Sequence, residues 1–247
     1  MSTRKEILYE LGLVPTWKLR SESTDIESEI SELNPDQEER CKYKSTKALN
    51  GSLETSWAML KGEISNCQRC ALSQTRAKVV EGVGDQQASW MFIGEGPGAE
   101  EDAIGEPFVG RAGKLLDNML LAMGLRRDEN VYITNVVKCR PPKNRNPEQM
   151  EVEACADFLD RQIELLKPKV IVALGRFAAD RLVGKMDTLS AYRGTSHTYL
   201  GIPVIVTYHP AYLLRNQLDK SKAWGDLCLA LDVMDQELTV ISKEDQD

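Results

Sequence analysis

Four cysteines tie distant parts of this chain together: Cys67 and Cys70 have two residues between them, and Cys139 and Cys155, much further on, have fifteen. Thiolates bind soft metals tightly, and a Cys-x-x-Cys turn presents two of them to one ion or cluster. A fold that used all four would have to return its later segments to that early turn. The second pair is the informative one. A zinc ribbon closes with another short knuckle, whereas fifteen intervening residues suit a wider object such as a [4Fe-4S] cluster. Zinc and unrelated buried thiols are the alternatives that spacing alone leaves open. Cys41 and Cys228 fall outside the pattern and read as a linker thiol and a core thiol.

The 247 residues, 42% of them hydrophobic, suffice for one sizeable domain and an appendage. Met1 to Glu10 carries charges and no long apolar run, so neither a signal peptide nor a membrane span is expected. The expected location is cytoplasmic, where six cysteines are better read as ligands and free thiols than as disulfides. The net charge of −7 is uneven: residues 1–60 carry 8 basic and 11 acidic side chains, and residues 226–247 carry 1 and 7. The middle of the chain is therefore near +2, which permits a DNA-binding face without demanding one.

Thr3 to Leu13 reads as a short helix, opened by a capping box of Thr3 and Glu6, with Ile7, Leu8 and Leu11 on one face. Residues 21–50, rich in Ser, Glu, Asp, Asn and Lys, read as a linker. Residues 1–50 thus form an extension whose helix could dock a protein partner, and 51–247 form the main domain, opened by a helix from Ser52 to Ile64. Beyond Cys70, short apolar runs alternate with helical patterns, the signature of a parallel α/β sheet. The strand candidates are 90–93, 131–136, 170–174 and 204–207. Helices are expected at 111–123, 147–166, 175–182 and 219–234. The predicted fold is a three-layer α/β/α sandwich around a mainly parallel four-stranded sheet, with its site at the carboxyl ends of the strands.

Those ends carry the polar residues. The first strand runs into Gly94-Glu95-Gly96-Pro97-Gly98, a tight loop whose backbone can approach a ligand closely, though not a dinucleotide fingerprint. The second places Asn135 shortly before Cys139. The fourth delivers His209, one of two histidines, followed by Pro210. His197 falls in a polar stretch and reads as a surface turn.

Taken with Glu101-Asp102, Pro107 to Gly113, Thr134 to Pro142 and His209 to Asn216, these segments resemble the successive motifs of the family 4 uracil-DNA glycosylases, and the cysteine spacing resembles their iron-sulfur ligands. The resemblance covers about residues 60–235. It implies an enzyme of base-excision repair that flips uracil out of single- or double-stranded DNA and hydrolyses its N-glycosidic bond to leave an abasic site. It implies that Cys67, Cys70, Cys139 and Cys155 hold a [4Fe-4S] cluster. Phe108 would stack on the flipped base and Asn135 would read its edge, accepting from N3-H and donating to O4. His209 would donate to O2 as negative charge develops there. Glu95 would orient water or support the cationic sugar. Gly96 stands where better-known uracil-DNA glycosylases carry an aspartate, and Glu101 would line the pocket against a thymine methyl. Leu213 and Leu214 would form the wedge that fills the vacated stack, and Arg215 would contact phosphate.

Gln217 stands where the family pattern has a proline. The segment Gly105 to Phe108 lacks the basic insertion of a related branch that becomes trapped on DNA, so turnover is expected. A monomer is expected. Two rivals stay in view: a non-catalytic nucleic-acid-binding module on the same fold, and a glycosylase for another deaminated base.

Overall fold

A computed structural model describes residues 57–186 and 188–244. The helix predicted at 3–13 and the linker at 21–50 lie outside the described residues. In chain order the elements are α1 (Trp57–Ser65), β1 (Val83–Gly84), β2 (Trp90–Gly94), α2 (Ala99–Ile104), α3 (Arg111–Ala122), β3 (Val131–Asn135), α4 (Gln149–Leu166), β4 (Val170–Leu174), α5 (Arg176–Leu182), α6 (Leu189–Tyr192), β5 (Ser196–Tyr199), β6 (Ile202–Thr207), α7 (Pro210–Leu213) and α8 (Lys220–Glu244).

The sheet order is β1-β3-β2-β4-β6-β5. The four expected strands are its parallel centre, and the pairings add an antiparallel strand at each edge. Sequence reading missed both. β1 has only two residues, and β5 is Ser-His-Thr-Tyr with one side open, so neither shows the continuous apolar run of a strand buried on both faces. His197 is accordingly a residue of β5 and not a turn, with its ring Nε2 2.7 Å from the Tyr192 carbonyl oxygen.

Alternation along the strands builds the layers. Met91, Ile93, Tyr132, Ile171, Ala173, Val204 and Val206 face α4 and α5, while Phe92, Val131, Ile133, Val170, Val172 and Ile205 face α3 and α8. Every residue of β2, β3 and β4 is buried. The chain passes from β2 to its neighbour β3 and then crosses to β4 on the other side of β2. A doubly wound sheet opens its crevice at such a reversal, at the strands' carboxyl ends. Separately, α1 packs Leu60 and Ile64 on Phe158 of α4, and an Arg161–Glu63 ion pair joins the same two helices. This contact brings the turn bearing Cys67 and Cys70 onto the helix that carries Cys155.

Candidate active site at the strand ends

Gly94, the last residue of β2, lies in register with Asn135, the last of β3. A Cβ at Gly94 would stand 2.5 Å from both Asn135 Oδ1 and Phe108 Cζ. Glycine is thus what lets an amide from one strand and an aromatic ring from the next loop converge. Asn135 is 2% exposed, and its Oδ1 has no hydrogen-bond partner. A buried acceptor left unpaired costs about 1–3 kcal/mol, so a fold that keeps one has a use for it.

Phe108 is held in place by backbone devices. Its φ of 56° is left-handed, a conformation that costs a non-glycine residue about 1–2 kcal/mol. Arg127 holds it there, donating from Nη1 to the Pro107 carbonyl and from Nη2 to the Phe108 carbonyl, each at 2.8 Å, while Asp117 anchors the guanidinium. On α3, a Cβ at Gly113 would fall 1.6 Å from the Phe108 carbonyl oxygen, so the loop closes on the helix only over a glycine.

The ring of His209 stacks on Phe108, centroids 5.5 Å apart and planes 28° apart. Its Nδ1 accepts from the Ala211 amide at 3.1 Å, which leaves the proton of the neutral ring on Nε2. Burial, aided by the charge of Arg215, lowers the His209 pKa to about 4. At neutral pH it is an uncharged donor. Gly175, at the end of β4 with φ 86°, makes room for it, because a Cβ there would stand 2.9 Å from that of His209. Glu95, next to Gly94, is partly buried, and desolvation raises its pKa to about 7. Its carbonyl accepts from Val137, and Gly96 beside it abuts the Val137 side chain.

The remaining expected residues are placed differently. Glu101 spends its carboxylate on backbone amides: Oε2 accepts from Gly98 at 3.1 Å, and Oε1 from Val109 at 3.1 Å and Gly110 at 3.0 Å. It staples the glycine loop to the Phe108 segment, a positioning task in place of the expected wall against a methyl group. Leu213 is 1% exposed and packs with Tyr208 and Ala223, so it belongs to the core and cannot be a wedge. Leu214 is partly buried and Arg215 exposed. Leu218, which sequence reading passed over, is 92% exposed on the turn that follows.

The four cysteines of the spacing pattern line one pocket, together with Arg76, Lys138 and Phe158. Cys139 and Cys155 are buried, while Cys67 and Cys70 are partly exposed. Arg76 donates to Cys139 Sγ at 3.0 Å. Burial pushes the Cys139 thiol up, and that of Cys155 to about 11. Among the described residues no three His, Cys, Asp or Glu side chains are drawn together as around a single ion.

No described helix is long and apolar enough to cross a membrane. Residues 81–228 match the family model of the uracil DNA glycosylase superfamily. The chain is 48% identical to the type-4 uracil-DNA glycosylase of Archaeoglobus fulgidus over 180 residues, covering 67% of this chain and 90% of the relative. It is 51% identical to that of Thermotoga maritima over 156 residues, 62% of this chain and 81% of the relative. Identity falls to 34% against the type-5 uracil-DNA glycosylase of Pyrobaculum aerophilum, over 53% of this chain and 64% of that one. The orphaned amide, the stacked ring and the neutral histidine all fall within the residues that the family model matches, and the chain belongs to the uracil-DNA glycosylase superfamily, on its type-4 branch.

Proposed function

We propose that this protein hydrolyses the N-glycosidic bond of uracil in DNA, leaving an abasic site and so initiating base-excision repair. The observation that carries this reading is the unpartnered Asn135 Oδ1, buried at the foot of the stacked Phe108 and His209 rings. Uracil offers N3-H to that acceptor and O4 to the amide beside it. Cytosine reverses both and would leave buried groups unpaired. With the base in place, His209 Nε2-H, a neutral donor, meets the negative charge that grows on O2 as the bond breaks. An uncharged donor fixed through its other ring nitrogen needs little reorganisation during the reaction. Glu95, when ionised, offsets the positive charge on the sugar or orients the attacking water. Gly96 keeps the loop between them close to the base.

On the DNA side, Leu214 remains as the wedge, Arg215 as the phosphate contact, and the exposed Leu218 joins them as a contact for the opened duplex. The cofactor we assign is a [4Fe-4S] cluster on Cys67, Cys70, Cys139 and Cys155. Four thiols from three separate segments lining one pocket support a centre that all four would hold. Bound there, the cluster cross-links α1, the segment after β3 and α4. The chemistry at the base makes no use of it. Ile7, Leu8 and Leu11 are proposed to dock a partner protein, and the enzyme to act inside the cell as a monomer.

The test incubates the purified protein with a single-uracil oligonucleotide and then cleaves abasic sites with alkali. Strand scission at uracil is expected. Binding without scission would favour the non-catalytic module, and scission only at another deaminated base would move the substrate.

A further inference from the structure

Tyr212 grips the chain on both sides of the residues assigned to DNA. Its carbonyl accepts from the amides of Arg215 at 3.0 Å and Asn216 at 2.9 Å, and from Asn216 Nδ2 at 3.2 Å. Its hydroxyl donates to Asp219 Oδ2 at 2.7 Å. Backbone and side chain of one residue thereby close the segment 212–219 on itself, and Leu214, Arg215 and Leu218 are carried on it. Asp219 ends the 3-10 turn Gln217–Asp219, its amide donating to the Asn216 carbonyl at 3.2 Å. Its other carboxylate oxygen is 2.8 Å from Lys222 Nζ on α8.

The near end of this segment is tied to the core. The Tyr212 ring stacks on Tyr208, centroids 5.0 Å apart and planes 11° apart. Over Tyr208, at 4.2 Å from its centroid, lies the guanidinium of Arg193, which is ion-paired at 2.7 Å to Asp226 of α8, itself buried. The far end has no such packing: Arg215, Asn216, Gln217 and Leu218 are all exposed. Ordering such a stretch costs conformational entropy, and a loop ordered before DNA arrives does not meet that cost on binding. The Tyr212 hydroxyl supplies the order by joining the far end, at Asp219, to the stack. A preset loop matters most in a duplex, where a base must leave its stack and the vacancy must be filled; a single strand asks for little of this.

We infer that the Tyr212–Asp219 hydrogen bond is a latch that presets the wedge loop, which makes Tyr212 and Asp219 positioning residues for uracil in duplex DNA. The inference rests on the glycosylase reading above. Tyr212→Phe tests it, because it keeps the ring and its stack on Tyr208 and removes the hydroxyl alone. Single-turnover excision is measured on one uracil oligonucleotide, alone and annealed to its complement. The duplex rate should fall about five- to tenfold, the effect of one lost hydrogen bond to a carboxylate, while the single-strand rate stays within about twofold of wild type. A general structural loss would lower both rates alike.

Asp219→Ala should reproduce the Tyr212→Phe ratio of duplex to single-strand rates. Asp219→Asn retains an acceptor for the hydroxyl, controls for the lost charge, and should keep the wild-type ratio. In Tyr212→Phe/Asp219→Ala the duplex rate should be no lower than in either single variant, since both remove the same bond. A wild-type ratio in Tyr212→Phe, or losses that multiply in the double variant, overturns the latch, and so does a wild-type protein active on single strands alone. Should Tyr212→Phe fail to fold, the ratio in Asp219→Ala decides by the same criterion. A wild-type protein that releases uracil from neither substrate would refute the glycosylase reading itself, and this is seen before any variant is made.

Discussion

The strand-end pocket and the cysteine pocket share β3 and the few residues after it, yet they are kept in shape by different means. At the strand ends the backbone does the holding. Gly94, Gly113 and Gly175 each stand where a Cβ would collide, Arg127 clamps two carbonyls, and Glu101 gathers three amides. What remains free is an acceptor, Asn135 Oδ1, and a donor, His209 Nε2-H. The cysteine pocket has the opposite character: its side chains, not its backbone, are poised, and burial makes ionisation of two of its thiols costly. A rigid frame with spare hydrogen-bonding capacity suits a guest that comes and goes. Thiols that resist ionising suit a metal centre that stays, because coordination supplies the positive charge they lack.

The largest effect should therefore come from the cysteine side and appear as loss of protein, not of rate. Cys155→Ser should yield little folded material, since α1, α4 and the segment after β3 lose their common tie. Soluble yield and circular dichroism check this. A folded, colourless and fully active Cys155→Ser would reverse the comparison. The purified wild type should be brown, with an absorbance shoulder near roughly 400 nm.

At the base the expectation is inverted: rate falls and the fold survives. His209→Ala removes one preorganised donor to a developing anion, so single-turnover excision should drop about 10²- to 10³-fold. The melting temperature and the affinity for uracil-containing DNA should stay close to wild type. Asn135→Asp comes next. An ionised carboxylate has no donor for O4, and a lost buried hydrogen bond of about 1–3 kcal/mol corresponds to roughly ten- to a hundredfold. The N4 amine of cytosine could donate to that carboxylate, so slow cytosine excision is the expected accompaniment. Equal losses on both bases in both variants would mean that Asn135 does not read the base.

How much of this was legible in the sequence follows from where each residue's signal lies. The four parallel strands announced themselves as apolar runs, because each is buried on both faces. Asn135 and His209 stood out as polar residues at the ends of such runs. The edge strands were not visible, since β5 alternates burial and includes a histidine. Leu213 and Leu214 are indistinguishable as letters, and only the helical turn of α7 decides that the first packs inward. Arg127 carried no signal at all: it serves Phe108 from a loop after the next helix, a relation that tertiary folding alone creates. Lys138 was visible as one letter of a motif, but its burial was not.

The smallest expected effect separates the two polar groups of the strand-end pocket by pH. Burial moves them in opposite directions, Glu95 up to about 7 and His209 down to about 4. Across pH 6 to 8 the histidine stays neutral, so of these two groups Glu95 is the one that titrates in that window. If Glu95 acts ionised, the single-turnover rate should rise about tenfold from pH 6 to pH 8, following the carboxylate fraction of a group near 7. Stability should respond with the opposite sign. The folded state holds this proton more tightly than the unfolded chain does, so the contribution of Glu95 is fully present below about 4.5 and is lost as pH rises through about 7. Glu95→Gln should flatten both limbs together, leaving a slow enzyme whose rate and melting temperature no longer change in opposite directions across neutrality. A variant that kept the rising rate while losing the stability slope would assign the proton-dependent step to a group outside this pocket.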